Sequence, residues 1–138
     1  MSPDNRIRQS FDAQSMMATL GAELTHVEPG HAHISAPILE GSKQQHGFAH
    51  AALTFAIGDS AAGYAALTVM ADGFEILTTE MKINLLAPAQ GDMLIARGKV
   101  IKPGRKLVIV QSDVYAVTDG QEIHIALLTG TMIPVAIK

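Results

Sequence analysis

The 138-residue sequence predicts an α+β fold in which an antiparallel sheet of five or six strands wraps one long helix. Three observations predict it: a charge-poor apolar run at residues 49–70, a hairpin signal before it, and four strand-like runs joined by short turns after it. One run long enough to be a buried helix, followed by strands too closely spaced for crossovers, gives a two-layer arrangement and an antiparallel meander.

Residues 4–20 place Ile7, Phe11, Met17 and Leu20 on roughly one helical face, with Asp4 available as a cap, so a short amphipathic helix is expected in an N-terminal segment 1–20. From Ala22 to Ile38 two extended runs flank Glu28-Pro29-Gly30, and in the second His31, His33 and Ser35 alternate with Ala32, Ile34 and Ala36. A polar stretch from Leu39 to Phe48 then leads into AHAALTFAIGDSAAGYAALTVM, apolar on nearly every face and charged only at Asp59. Its length admits a membrane span as the competing reading. A mid-helix carboxylate costs roughly 2.5–3.5 kcal/mol on insertion scales, and the Ala and Gly content is weakly hydrophobic, so a buried central helix is the reading taken. Turn signals at Pro88–Gly91, Pro103-Gly104 and Asp119-Gly120 divide the remainder into strands over about 74–87, 92–102, 106–118 and 121–133. The whole length, 1–138, is expected to form one domain.

Composition removes several function classes. The net charge of -3, with Lys and Arg scattered, provides no basic face to displace counterions from a phosphate backbone, so no nucleic-acid partner is expected. With no cysteine there is no thiolate nucleophile and no Cys-containing metal site. His31 and His33 alternate on a strand with no carboxylate at ligand spacing, so no metal is expected; Ser60 directly follows Asp59 and sits on no nucleophile elbow, so no Ser-His-Asp triad is expected. The first residues lack a signal-peptide pattern, which makes the cytoplasm the expected location.

Asp59 is the informative oddity, because an ionised carboxylate among apolar residues is costly unless it is paired or put to use. It would either cap a helix starting at Ser60, with Gly58 ending the element before, or act chemically. The lead-in Gly47-Phe48-Ala49-His50-Ala51-Ala52 brings a loop into the N-terminus of the same helix, where free N–H groups face a dipole-positive site. A donor there, the Ala51 N–H, suits a thioester carbonyl whose oxygen becomes negative during attack, an interaction commonly worth about 3–4 kcal/mol of barrier. Asp59 would then serve as general base on water, or as a nucleophile forming a mixed anhydride. Eight residues separate the two groups, about 12 Å along a helix. If both act on one thioester, the carboxylate comes from a second copy of the chain, and a two-fold dimer with two shared sites follows.

These residues resemble the hot-dog thioesterases of the phenylacetate-degradation, PaaI-like type. Their helix lead-in reads Asn or Gln, two residues, Gly, two residues, His-Gly-Gly, then Asp or Glu nine after the His; here these are Gln44, Gly47, His50-Ala51-Ala52 and Asp59. A register on His46-Gly47 would put Phe55 at the carboxylate position and is rejected. The likeness runs from the hairpin near Ala22 to the closing strand near Ile133 and implies a hot-dog fold, hydrolysis of acyl-CoA, dimers that pair further into tetramers, and no cofactor beyond the CoA of the substrate. It also implies that Gln44 and His50 hold the thioester end or the loop, that Thr78 orients the attacking water, and that Gly104, Arg105 and Lys106 of the basic turn meet the CoA phosphates. Gly47, Ala52 and Gly63 complete the substrate-binding residues expected. The sequence departs from the pattern in having Ala51 and Ala52 for two glycines: the backbone donor is kept, and each added methyl narrows the approach of a ligand. Rival readings are a non-catalytic acyl-CoA-binding hot-dog protein and, on weaker grounds, a hydratase or dehydratase of enoyl or hydroxyacyl thioesters.

Overall fold

A computed structural model describes residues 3–137. Two short helices, α1 (Pro3–Ala13) and α2 (Ser15–Thr19), precede the hairpin β1 (Glu23–Glu28) and β2 (His31–Pro37). A single 3₁₀ turn (Glu40–Ser42) and a loop lead into the long helix α3 (Ala51–Leu67). Strands β3 (Phe74–Leu85), β4 (Met93–Pro103), β5 (Val108–Thr118) and β6 (Gln121–Ala136) follow. All six strands form one antiparallel sheet in the order β1-β2-β4-β5-β6-β3, so the expected α+β architecture is the one observed. The meander expected of the last four strands holds only for β4-β5-β6, because β3 pairs with β6 at the far edge and its connection to β4 crosses the sheet. Helix α3 carries the chain across the sheet, from β2 near one edge to β3 at the other.

Alternation along each strand decides which face receives the helix. Leu24, Ile34, Ala96, Val114, Ala126 and Leu85 stand opposite one another in a single row through all six strands. Ile34, Ala96, Val114 and Ala126, in the middle of that row, are wholly buried. Against them lie Ile57, Ala61 and Ala65 of α3, also buried completely. Covering one Ile or Leu in this way contributes about 1.5–3 kcal/mol.

Small residues let the layers close. A Cβ added at Gly98 on β4 would collide with the Ala61 carbonyl and lie 2.6 Å from the Ala62 nitrogen, both helix backbone. Gly98→Ala is therefore expected to destabilise the fold by about 1–3 kcal/mol or more through overpacking, read as a lower urea midpoint at unchanged slope.

Several boundaries differ from expectation. The N-terminal helix is broken at Gln14, which adopts an extended conformation (φ -82, ψ 99), with Ile7 and Phe11 packing from the first piece and Met17 from the second. Asp4 lies inside the first turn, where it pairs with Arg8 at 3.2 Å. Helix α3 is shorter than 49–70. His50 is extended (φ -64, ψ 144) and its Nδ1 accepts from the Ala52 N–H at 2.9 Å, starting the helix at Ala51. At the other end Thr68 is the cap: its Oγ1 donates to Ala65 O and accepts from Gly30 N–H at 2.8 Å, joining helix to hairpin. Asp59 lies within α3, not at the start of a new helix, which removes the capping alternative. No helix among the described residues is long and apolar enough to cross a membrane.

Candidate active site

The lead-in loop is held by its own backbone. Lys43 bridges to Ala49, the Ala49 N–H donates to Ala89 O at 2.9 Å, and the His50 N–H donates to Ser42 O at 2.8 Å. Gly47 makes the turn at φ +86, a left-handed conformation that favours glycine. The Gln44 Oε1 accepts from the His46 and Phe48 N–H groups, at 2.5 and 3.3 Å, and closes this loop from inside. Together these bonds fix where α3 begins, and they leave the Ala51 N–H with no acceptor among the described residues. Because His50 accepts at Nδ1, its neutral ring carries the proton on Nε2.

Around this helix start is a hollow of about 610 Å³ that includes Gln44, His50, Ala51, Thr54, Leu85 and Ala89 in its lining. Gly47 is turned elsewhere, into a separate hollow with Lys43, Pro88 and Asp92. Ala52 belongs to a groove of about 590 Å³ that runs along α3 past Phe55 to Asp59.

Asp59 and Thr78 meet at the far end of that groove. The Thr78 Oγ1 donates to Asp59 Oδ1 at 2.8 Å. The strand reaches this position through a bulge: β3 shifts register between Thr78 and Glu80, so Ile76 and Thr78 face the helix before it, and Met81 and Ile83 after it. Burial raises the Asp59 pKa above the ordinary carboxylate value, and the Thr78 hydrogen bond, by favouring the anion, opposes that rise. Replacing Thr78 with Val removes only the opposing influence. If Asp59 must be ionised for turnover, the acid limb of kcat/KM should move to higher pH in Thr78→Val, as read from a pH–rate profile.

A second hollow of about 260 Å³ opens from Asp59 in the other direction and includes Gly63, Tyr64, Thr78 and Met132 in its lining. The N-terminal helices close it with Ser10 and Gln14. Ser10, Gln14 and Tyr64 are not among the site residues expected from the sequence. The available signal is Tyr64 itself, a lone phenol in an apolar helix, since a buried Tyr hydroxyl requires a partner.

Gly104, Arg105 and Lys106 lie on the β4–β5 turn and line none of these hollows. Thr78 pairs with Met132 and Met132 with Val108, so the turn lies at the Asp59 end of the sheet. Gly104 is required there, because a Cβ would collide with the Leu107 carbonyl. On the sheet's other face the His26 and His33 rings meet at 4.8 Å, tilted by 44°, Arg97 forks onto Glu122 at 2.6 and 2.9 Å, and His124 pairs with Asp113 at 3.0 Å. Among the described residues no group of three or more His, Asp or Glu side chains is arranged to hold a metal ion.

A sheet wrapped around a central helix, with a carboxylate midway along it and a free N–H at its start, is the architecture of a hot-dog hydrolase. The family model for the thioesterase superfamily matches residues 46–123, and the chain belongs to that superfamily. It is similar to a thioesterase family protein from Silicibacter pomeroyi, with 39% identity over 99% of this chain and 100% of the other, at a TM-score of 0.96. In fold it also matches a thioesterase of Haemophilus influenzae (17% identity, 99% and 92% of the two chains, TM-score 0.83). The PaaI protein from the phenylacetic acid degradation operon of E. coli is a further match in fold (18% identity, 97% and 94%, TM-score 0.85). The protein is a hot-dog thioesterase, and its reaction class is thioester hydrolysis.

Proposed function

We propose that the chain hydrolyses acyl-CoA thioesters at sites shared between two copies, with Asp59 from one and the Ala51 N–H from the other. The observation carrying this reading is the separation of the two groups. They stand on one helix eight residues apart, about 12 Å, at the two ends of the groove that runs along α3. A thioester carbonyl cannot touch both within one copy. Strand β3 offers the surface on which a second copy would bring them together: it is one of the sheet's two edge strands, the one beside Asp59, and it exposes Phe74, Leu77 and Leu85. Pairing of two β3 strands about a two-fold axis runs two α3 helices past each other in opposite senses. Further pairing of dimers into tetramers, and a cytoplasmic location, belong to the same proposal.

Asp59 takes a proton from water as the oxygen bonds to the carbonyl carbon. The oxyanion so formed accepts from the Ala51 N–H, reinforced by the positive end of the α3 dipole. Collapse breaks the C–S bond, and the Asp59 carboxyl returns its proton to the departing CoA sulfur. In the nucleophilic variant Asp59 itself bonds to the carbon, the thiolate leaves, and water then hydrolyses the mixed anhydride. Thr78 holds the carboxylate by donating to it, and its oxygen keeps its lone pairs to accept from the incoming water. Gln44 and His50 act through the loop and the helix start that they fix, while Arg105 and Lys106 supply positive charge for the CoA phosphates.

The test is release of free thiol from short-chain, long-chain and aromatic acyl-CoAs. Cleavage of at least one above the uncatalysed rate is expected. If none is cleaved while other thioesters are, the acyl-CoA assignment is wrong.

A further inference from the structure

The hollow beyond Asp59 has a polar end wall on a helix that is otherwise largely apolar. Tyr64 is 6% exposed, and its hydroxyl meets two residues of the N-terminal segment. Gln14 Nε2 donates to Tyr64 Oη at 2.5 Å, and Ser10 Oγ lies 3.1 Å from the same oxygen. Gln14 is the residue at which the N-terminal helix breaks, so the break turns this amide inward. An amide carries an acceptor oxygen and a second N–H, so Gln14 keeps bonding capacity beyond the one donation to Tyr64. Gln14 and Asp59 line both this hollow and the groove along α3, so the amide stands where the two spaces join.

Size and charge restrict what fits. The hollow of about 260 Å³ holds on the order of nine water-sized groups at about 30 Å³ each. Asp59 and Tyr64 are five residues apart, about 7.5 Å of helix rise, a reach that suits a short acyl chain. The lining holds two carboxylates, Asp59 and Glu75, and no Lys, Arg or His. An acyl group ending in a carboxylate would meet like charge there without a counterion. A hydrocarbon end would displace water from the amide and hydroxyls while replacing none of its hydrogen bonds.

Resting on the acyl-CoA reading above, we propose that Tyr64, Gln14 and Ser10 form the end wall of the acyl pocket. They select short neutral acyl groups with a hydrogen-bonding tip over hydrocarbon chains of equal length and over chains ending in a carboxylate. Ser10 and Gln14 act as specificity residues from outside the central helix, at the end of the acyl chain remote from the bond that breaks.

Three substrates of matched length test it: hexanoyl-CoA, 6-hydroxyhexanoyl-CoA and adipyl-CoA, compared by kcat/KM from CoA release. The hydroxylated substrate is expected to exceed hexanoyl-CoA by about five- to tenfold, the worth of one neutral hydrogen bond, and adipyl-CoA to be the poorest. In Tyr64→Phe and, independently, Gln14→Leu, the hydroxyl-to-methyl ratio is expected to fall towards one. Damage to folding would lower both rates and leave their ratio, so the ratio reports recognition. A wild-type ratio at or below one, or one that survives both substitutions, overturns the pocket assignment while leaving acyl-CoA hydrolysis standing. Absence of CoA release from all three and from the wider acyl-CoA panel overturns both.

Discussion

Asp59→Asn is expected to lower kcat/KM by about 10²–10⁴-fold, the usual worth of a positioned general base, without lowering the melting temperature. Two features of the site separate these effects. Asn keeps an oxygen to accept the Thr78 hydrogen bond that now reaches Asp59 Oδ1 at 2.8 Å, so the local geometry survives. It cannot take a proton from water or attack a carbonyl, so turnover does not. The stability follows from the raised carboxyl pKa, whose main cause is burial. A folded-state pKa above the unfolded one means that the folded chain binds more protons in the window between them, and stability falls as pH rises through it. Above that window the native protein carries an ionised, half-buried Asp59 at a cost that Asn lacks. Melting curves of both proteins should accordingly converge as pH drops below the ordinary carboxylate range and separate in favour of Asn at neutral pH. A large loss of melting temperature together with a loss of activity would instead make Asp59 a structural residue.

Ala51→Pro should produce an inactive chain that folds, and mixing it with Asp59→Asn should restore activity. Ala51 is the first residue of α3 and follows the cap at His50, the position where proline's missing N–H and fixed φ suit a helix best. His50 already has the extended conformation that a residue before proline prefers (φ -64, ψ 144). The substitution thus deletes one amide hydrogen and little else. Loss of an oxyanion donor costs about 10²–10³-fold in kcat. In a heterodimer of the two variants, one shared site carries both substitutions and is inactive. The other combines native Asp59 with native Ala51 and is whole. Refolding the variants together at equal concentration should therefore recover about a quarter of wild-type activity per chain, since half of randomly paired dimers are mixed and each has one working site of two. If each site lay within one chain, mixing would recover nothing. Activity measured against the mixing ratio distinguishes the cases.

The sequence exposes the layout of the fold because its signals are local or periodic. An apolar run interrupted by one carboxylate reads as a buried helix, and turns at Pro103-Gly104 and Asp119-Gly120 separate β4, β5 and β6, which the sheet pairs in a meander, whereas the place of β3 beside β6 is not local and is not readable. The distance between Ala51 and Asp59 is readable for the same reason, since helix rise converts spacing into length. What escapes is what depends on contact between remote segments. Gln14 and Tyr64 are 50 residues apart, and nothing in either neighbourhood announces the other. The break at Gln14 falls in a segment with no Pro or Gly to mark it, because packing of Phe11 and Met17 on the core sets it. Motif spacing also groups Gly47 with the substrate-binding residues, although its positive φ serves the turn and its hollow lies apart. The bulge beside Thr78 stands between these cases: the change of parity from Ile76 and Thr78 to Met81 and Ile83 is visible in the letters, yet it acquires meaning only once α3 is laid across the strand.

The contact at Gly98 has a bearing on chemistry as well as on packing. Ala61, whose carbonyl it receives, is two residues from Asp59, about 3 Å along the axis. The sheet therefore acts as a gauge for the carboxylate's alignment, and a methyl group inserted between the layers would tilt the helix and carry Asp59 with it. Misplacement by about 1 Å can cost on the order of 100-fold in rate. A substitution on β4, far from any bound thioester, should then reveal itself first as a slow enzyme at temperatures where the protein is still folded.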